Sequence, residues 1–525
     1  AVVDSTRFKL KQIPAAQRLY SQIRSGNLGQ EQLDIYSQIG GKSAAIFGYG
    51  QSSGALQMSA LYSKPGFKSL DFSVKSPLLQ QLERDRWIFG DEEVDDFTEA
   101  DKEKLAQELK NLYLNDYSSQ WQSLLNELHI AKFTDMTSAT ATLKQMADPV
   151  YSPLVAILRV TKENTALTPG WPQPTLLPGT SAATAGAAEA IIGKVVKPTS
   201  VDVAFRDINQ LTTQSEQQPA AVNDVLAGIK ELHGYLNNMA VSPNPNEAAF
   251  AAAKARYSTN SADPIRKLRI LATNAPKPVS DWLNEMADHS WGVILQGTKA
   301  HLDTAWNQQV YSVYERTLGS RYPLRKVRAE ATVDDFNQFL APGGVEAAFV
   351  QANVKPFLDR NWRPKALDGQ AVAFTDASLG QLRGADTLRA ALYRAGDAPG
   401  YDFSMKPLSL DTSVGKFELQ LGEQRFTYTH GPKLNKKASW RSGRDTNIRI
   451  LFEDLNQTLH RETFTGVWAW YRLLDDASIR KVGNTTYRAT FNKDGRKSQY
   501  QLSAASRISG LNLSLLRNYR CPQGL

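Results

Sequence analysis

The sequence is poor in cysteine, with the single thiol of Cys521 among 525 residues. One thiol cannot form an internal disulfide or supply a cysteine-based four-ligand zinc site. This excludes a secreted scaffold held together by disulfides. It leaves the compartment open, because chains with few cysteines suit the cytosol and the bacterial periplasm equally.

Long apolar runs are also missing. No stretch approaches the about 18 consecutive apolar residues that a membrane-spanning helix needs, so we expect no segment of this sequence to cross a bilayer. The chain begins at Ala1 and shows no signal peptide. We therefore expect a fragment or a processed product, whose targeting or membrane segments would lie upstream.

Metal-binding patterns are equally scarce. The six histidines stand singly, never four residues apart on one helix, and no H-E-x-x-H motif occurs. The acidic run 91–103 lacks the spacing and the central glycine of a calcium loop, and it is better explained as the N-terminal capping region of a following helix. The sequence predicts no metal site and no cofactor.

Two short motifs resemble enzyme signatures. GQSSG (50–54) matches a nucleophile elbow centred on Ser52, but the residues before it show no convincing strands and no oxyanion loop. A serine hydrolase at Ser52 is kept only as an alternative. GGKS (40–43) is not a phosphate loop, because Tyr36 stands where the motif requires glycine. The sequence therefore predicts a protein that is not an enzyme.

Positive charge is concentrated in the last quarter of the chain. Residues 401–525 contain 20 Lys/Arg and 11 Asp/Glu, whereas the first 400 residues contain 41 and 42. A basic surface attracts acidic proteins, nucleic acid or anionic lipid headgroups. One hypothesis is therefore a nucleic-acid-binding module in residues 401–525, and the plainer interpretation is a solvated surface with spread charges.

The first 320 residues have helical periodicity. Apolar residues recur every three or four positions from Leu105 to Leu128, and again from His301 until Gly319, which would cap the second helix. Segments 170–190 and 242–246 are rich in Pro, Gly or Ala and are predicted loops.

After about residue 370 the pattern changes to strict alternation. Apolar residues alternate over 417–421, 426–428, 448–452, 487–491 and 500–502, with turn-forming residues between them. The predicted fold class is α+β by segregation: an N-terminal multi-helix domain, then a mainly antiparallel, sandwich-like β domain with a few helices and an extended C-terminal tail. The predicted borders are 1–325 (uncertain within 260–330), 326–505 and 506–525.

The segment GVWAWYRLLDDASIRK (466–481) contains the densest aromatic cluster. Val467, Trp470, Tyr471 and Leu474 fall on one helical face, which predicts an amphipathic helix packed on the β domain rather than a ligand platform. Asp475 and Asp476 are expected to pair with Arg472, whose guanidinium the Trp468 ring could cover. Thr463 and Thr465 are possible N-caps.

That same segment resembles the TssM/IcmF family, the large inner-membrane subunits of type VI secretion systems. Other stretches resemble the family in the same order, so that the resemblance covers nearly the whole chain: LYLNDYSSQWQSLLNEL (112–128), DPVYSPL (148–154), RYPL (321–324), DDFNQFLAPGGVEAAF (334–349), VKPFLDRN (354–361), YTHGPK (428–433) and RNYRCPQGL (517–525). The matching motif residues, expected to be structural, are Gly466, Trp468, Ala469, Arg472, Leu473, Leu474, Asp475, Cys521 and Pro522. WRSG (440–443) and Trp470 depart from the family pattern, which leaves only packing details in doubt.

The resemblance implies a role in a secretion apparatus. It implies the C-terminal periplasmic segment of an inner-membrane protein, which spans the periplasm as a structural scaffold. Its β-rich region, residues 326–525, would dock the outer-membrane lipoprotein TssJ. The whole subunit would assemble with the inner-membrane protein TssL and with copies of itself.

Overall fold

The computed structural model describes residues 13–40, 43–49, 56–80, 98–169, 197–214, 220–258 and 263–525. It divides into two compact units, one formed by residues 1–245 and 261–293, the other by 246–260 and 294–525. The division falls within the long helix Val279–Trp306. The sequence-based border at 325, with its interval of 260–330, stays a prediction about domain organisation.

The first unit is predominantly helical. Its helices are Ala15–Ser25, Asn27–Gln30, Ile35–Ile39, Lys64–Ser69, Glu99–Glu127, Met136–Met146, Pro153–Thr165, Ser200–Ala204, Arg206–Leu211, Val222–Ala240, Pro264–Asn274 and the first part of Val279–Trp306, with 3-10 turns at Ser43–Ala45 and Ala60–Tyr62. Among its described residues, four short strands form two antiparallel pairs, β1 (Gln32–Asp34) with β3 (Gln57–Ser59) and β2 (Phe47–Tyr49) with β4 (Leu128–Ile130).

The helix Glu99–Glu127 shows why this unit folds as predicted. Thr98 and Asp101 form a capping box, so the described end of the acidic run does cap a helix. Along the buried face, Tyr113 Oη donates to the Leu61 carbonyl at 2.7 Å and Trp121 Nε1 donates to the Tyr62 carbonyl at 2.8 Å. The large rings thus fill the core while their polar atoms remain hydrogen-bonded.

The second unit also contains helices, most of which precede its strands. They are Pro245–Ser258, the end of Val279–Trp306, Ser312–Tyr314, Val333–Leu340, Val345–Phe349, Asp376–Leu392, Ala469–Asp476 and Leu513–Asn518, with π-helical turns at Asn307–Tyr311, Glu315–Gly319 and Val350–Val354 and a 3-10 turn at Lys355–Phe357. Helical backbone continues to Gly319, the predicted end, but Gly319 is not among the residues with positive φ and so is not a left-handed cap. No helix within the described ranges is long and apolar enough to cross a bilayer.

Two antiparallel sheets form the β portion of this unit. The strands are β5 (Gly400–Leu410), β6 (Val414–Leu421), β7 (Gln424–Tyr428), β8 (Lys436–Arg441), β9 (Asn447–Asp454), β10 (Leu459–Thr465), β11 (Ser478–Lys481), β12 (Thr486–Lys493) and β13 (Arg496–Ala504). One sheet has the order β10-β9-β6-β7 and the other β11-β12-β13-β5-β8.

The alternating residues of the sequence meet in the core between these sheets. Phe417 of β6 lies 5.6 Å from Phe491 of β12 and 5.5 Å from Tyr500 of β13, measured between ring centroids. Each strand therefore turns one face inward and the other outward. The predicted α+β class, helices first and an antiparallel sandwich after them, is confirmed.

Candidate functional site

The aromatic segment at 466–481 forms the helix Ala469–Asp476, here called the aromatic helix. It packs against β9, β10 and β11, as the amphipathic spacing predicted. The buried surface is wider than the predicted stripe, because Ala469 and Leu473 are as deeply buried as Trp470, Tyr471 and Leu474. These rings lie in the interior, where they cannot serve as a platform for a ligand.

Each large ring of the segment also forms a hydrogen bond. Trp468 Nε1 donates to the Ala331 carbonyl and Trp470 Nε1 to Tyr401 Oη, both at 2.8 Å. Tyr471 Oη donates to the Gly510 carbonyl at 3.1 Å, and burial raises its pKa well above the usual value. Because every polar atom is satisfied internally, these rings fix the helix in one orientation.

The expected N-caps were wrong. Thr463 and Thr465 belong to β10, where they pair with Arg449 and Asn447 of β9. Strand pairing continues to Thr465, and the chain turns only at Gly466.

Gly466 makes this turn with φ +105°, a backbone conformation that favours glycine. A Cβ atom at this position would lie 2.6 Å from Oε2 of Glu330. The turn therefore requires glycine for its backbone angle and also for the close approach of a carboxylate.

Arg472 does not pair with the two aspartates of its own helix, contrary to the prediction. Its Nε donates to Glu330 Oε1 at 2.7 Å, and its Nη2 donates to the Arg328 carbonyl at 3.0 Å. Its guanidinium carbon lies 4.1 Å from the ring centroid of Tyr322, which takes the place expected for Trp468. Arg472 thus holds a loop that is distant in sequence.

Asp475 connects three further residues. Its carboxylate accepts hydrogen bonds from Tyr322 Oη at 2.9 Å and from Arg517 Nη2. It also forms an ion pair with Lys326 Nζ at 3.3 Å. Arg517 also donates to the Pro323 carbonyl and lies 5.0 Å from the Tyr322 ring. Burial and the neighbouring carboxylate of Asp475 raise the pKa of Tyr322. Asp476 is exposed, so the two aspartates have separate environments and are not an acid/base pair.

The C-terminal segment after helix Leu513–Asn518 is fixed in place rather than extended away. Cys521 is buried, and burial raises the pKa of its thiol. The Pro522 carbonyl accepts a hydrogen bond from Trp306 Nε1 at 2.7 Å, and the amide of Leu525 donates to Asp303 Oδ1 at 2.9 Å. Cys521 is therefore a packing residue, because a buried thiol with a raised pKa is a poor nucleophile.

Three of the family-like stretches meet at this place. Tyr322 comes from RYPL, Arg472 and Asp475 from the aromatic segment, and Arg517 from the C-terminal stretch. The sequence alone does not predict that these residues meet, although the three stretches resemble the same family. The network holds the exposed loop 326–329 against the aromatic helix, through Arg472 and its bonds to the loop carbonyls.

The departures from the family pattern lie in the same core. Trp440 of WRSG packs edge-on against Tyr471, with ring centroids 5.0 Å apart. Ser442 donates to the Val467 carbonyl at 3.1 Å. Trp470 stacks on Phe403 at 5.3 Å. These residues thus lie in the packed core, and their departure from the family pattern stays a prediction.

Within the parts of the chain that the structure describes, no group of three or more His, Cys, Asp or Glu residues could hold a metal ion. His460 lies between two carboxylates, with its Nδ1 2.9 Å from Asp494 Oδ2 and its Nε2 3.6 Å from Asp454 Oδ2. Ser52 and the GQSSG motif lie outside the described residues, as does the predicted loop 170–190.

Three family models match this chain. Residues 1–166 match the model described as "IcmF-related: Intracellular multiplication and human macrophage-killing". Residues 297–398 match the type VI secretion protein IcmF helical domain, and residues 403–506 match the type VI secretion protein IcmF C2-like domain. Together these segments account for most of the sequence.

The chain also resembles individual proteins. It is 25% identical over 565 aligned residues to the type VI secretion system component TssM1 of Pseudomonas aeruginosa, covering 100% of this chain and 49% of the relative. The chain thus spans about half the length of that relative. A solved chain of a type VI secretion system membrane core complex has a TM-score of 0.72 at 17% identity, covering 98% of this chain and 99% of that one. A chain of a type VI membrane complex has a TM-score of 0.60 at 18% identity, covering 80% of each.

Proposed function

This chain belongs to the TssM/IcmF family, and we propose that it is the periplasmic segment of a large inner-membrane subunit of a type VI secretion system. In this proposal the segment is a structural scaffold without catalytic activity. Its β-rich region docks the outer-membrane lipoprotein TssJ. The whole subunit assembles with TssL and with further copies of itself.

The observation that carries this proposal is the likeness of the whole fold. The match to a chain of a type VI secretion system membrane core complex extends over 98% of this chain with a TM-score of 0.72. The family models fall in order along the sequence and support the same conclusion. The network around the aromatic helix supports a scaffold, because its charged groups bind one another and hold the loop 326–329 against the helix.

We propose the loop 326–329 as part of the lipoprotein-docking surface. The loop is exposed, and Val327 keeps 41% of its surface accessible. Arg472 and Glu330 already hold the loop in place, so a partner would bind it without a large cost in conformational entropy. An exposed aliphatic residue between Lys326 and Arg328 suits a surface that combines apolar contact with charge.

A binding experiment with the lipid-free form of the cognate TssJ tests this proposal. We expect the full chain to bind, and the double variant Val327→Asp, Arg328→Glu to bind at least tenfold more weakly. Val150→Asp is the control for the Val327→Asp change, since Val150 is also exposed (63%) but belongs to the first unit. We expect this control to bind like the parent.

Hydrogen exchange of the same complex would then map the protected amides. Protection confined to residues 98–293 would overturn the assignment of docking to the β-rich region. A parent chain that fails to bind TssJ would overturn the lipoprotein role itself. Equal binding by the loop variant and the control would remove the loop 326–329 from the docking surface.

A further inference from the structure

The positive charge of the last quarter of the chain lies on one of the two sheets. The strands of the five-stranded sheet contain ten Lys/Arg residues and a single acidic residue, Asp402. The strands of the four-stranded sheet contain four Lys/Arg and four Asp/Glu residues. The sandwich therefore has one neutral sheet and one strongly basic sheet.

On the neutral sheet the outward-facing charges neutralise one another across the strands. Lys416 lies 2.9 Å from Glu453, and Glu418 has Arg425 at 3.6 Å and Arg449 at 4.0 Å. These are the cross-strand pairs of opposite charge that stabilise a sheet.

The outward face of the five-stranded sheet is arranged differently. Arg480 of β11 is directly opposite Arg488 of β12, and Arg488 is followed across the sheet by Gln501 and then Lys406. Like charges directly opposite each other destabilise a sheet, so the Arg480–Arg488 pair does not contribute to the stability of the fold. We call the surface defined by Lys406, Lys437, Arg480 and Arg488 the basic face.

The cations of the basic face are available to a ligand. All four residues are exposed, and none forms an ion pair with a carboxylate among the described residues. The single acid of these strands, Asp402, is already bonded to Arg441 at 2.7 Å. No carboxylate among the described residues is paired with a cation of the basic face.

A shallow cavity of about 600 Å³ lies at one side of the basic face. Its lining includes Lys437, the hydroxyl-bearing residues Ser404, Ser439 and Ser503, and the carboxylate of Asp402, whose charge is offset by its ion pair with Arg441. The Lys437 ammonium group and the hydroxyl donors suit a phosphate group, which presents oxygen acceptors and negative charge.

From this geometry we propose that the basic face docks onto the surface of an anionic phospholipid bilayer. Clusters of Lys and Arg bind such surfaces through the summed attraction to many headgroups, without a shaped pocket for each one. The inference goes beyond the proposed scaffold function and does not depend on lipoprotein docking.

Two observations favour a bilayer over other polyanions. The outward positions of the five strands carry no aromatic residue, whereas protein interfaces and single-stranded nucleic-acid platforms are rich in aromatic residues. In addition, exposed aliphatic residues flank the two edge strands: Val482 (48% exposed) follows β11, and Leu434 (63%) precedes β8. Aliphatic groups beside cations can enter the headgroup region of a bilayer, and nucleic acid offers them no equivalent.

Co-sedimentation of the full chain with unilamellar vesicles tests the proposal. The vesicles are phosphatidylcholine alone or with 40% phosphatidylglycerol, at 50 and 300 mM NaCl. We expect binding only to the anionic vesicles and a loss of at least tenfold at the higher salt, because screening weakens attraction between exposed charges.

Two quadruple variants separate the basic face from net charge. The first replaces Lys406, Lys437, Arg480 and Arg488 with Gln. The control replaces Lys416, Arg425, Arg449 and Arg461 with Gln, which changes the net charge equally on the opposite sheet. We expect the first to bind at least tenfold more weakly than the parent and the control to bind within threefold, with circular dichroism showing that both remain folded.

The experiment has several outcomes that would overturn the proposal. These are failure of the parent to bind anionic vesicles, equal binding to neutral vesicles, or equal losses in the two variants. A duplex DNA of 30 base pairs is tested at the same salt, and tighter binding to it than to vesicles would assign the basic face to nucleic acid instead. The double variant Leu434→Asn, Val482→Asn must also weaken vesicle binding, because these two aliphatic side chains are proposed to enter the headgroup region. Unchanged binding would indicate a contact made by charge alone and would contradict the proposal.

Discussion

The two adjacent aspartates of the aromatic helix are expected to differ greatly in their contribution to stability. Asp475 accepts bonds from Tyr322 and Arg517, and its side chain is only 15% exposed, with Arg517 at 17%. Asp476 is exposed at the helix C-terminus. The variants Asp475→Ala and Asp476→Ala therefore remove the same group from neighbouring positions with different surroundings.

The cost of Asp475→Ala follows from the groups left behind. Arg517 loses its carboxylate and retains the Pro323 carbonyl, while the Tyr322 hydroxyl loses its acceptor. Breaking a buried ion pair costs about 3–5 kcal/mol, and partial exposure lowers that figure, so we expect about 2–4 kcal/mol. Asp476→Ala should change stability by less than about 0.5 kcal/mol, and in the stabilising direction, since an acid at a helix C-terminus is unfavourable.

Hydrogen exchange measures this difference locally. A loss of 2–4 kcal/mol corresponds to exchange of the aromatic-helix amides about 30- to 1000-fold faster. Asp475→Asn, which keeps an acceptor but removes the charge, should fall between the parent and Asp475→Ala. Equal exchange in Asp475→Ala and Asp476→Ala would refute the assignment of Asp475 as the acceptor of the buried network.

Three further predictions concern Gly466, Glu346 and Cys521. Gly466→Ala should destabilise the second unit by about 2–4 kcal/mol, because the new Cβ atom meets a backbone of positive φ and clashes with Glu330. Thermal unfolding of Gly466→Ala with and without Glu330→Ala would separate these two causes. Burial, opposed by the Arg389 ion pair, raises the pKa of Glu346 to about 7. Since this lies above the value of about 4.3 in the unfolded chain, stability should fall by about 3 kcal/mol from pH 4.5 to 7, and Glu346→Gln should lack that slope in melting experiments at pH 5 and 8. The Cys521 thiol should react with a disulfide reagent only after unfolding, and fast labelling of the folded chain would contradict its burial.

Regular elements could be predicted from the sequence because their causes are local. The spacing of Tyr113, Tyr117 and Trp121 identifies one face of a helix, and these residues are indeed buried along it. The alternation of Phe417, Leu419 and Leu421 likewise predicted a strand with one face in the core. In both cases the period of burial repeats the period of the backbone.

The partners within the candidate site could not be predicted in this way. Spacing along a helix favours Asp475 or Asp476 as the partner of Arg472, but its actual partner, Glu330, lies 142 residues away. Tertiary packing brings that carboxylate closer than any helical neighbour. The N-cap prediction failed for a related reason: pairing with β9 keeps Thr463 and Thr465 in a strand up to the turn at Gly466.

The unequal charge of the two sheets gives the sandwich an electric dipole that crosses it from one outer surface to the other. Near a charged boundary such a body experiences a torque, which turns the basic face toward negative charge before any atoms touch. In a solution of physiological salt this alignment weakens with distance, because screening reduces the potential about threefold over each 8 Å or so. The orientation of the sandwich on approach thus follows from its ion pairs. These pairs neutralise the four-stranded sheet, whereas the five-stranded sheet keeps its positive charge.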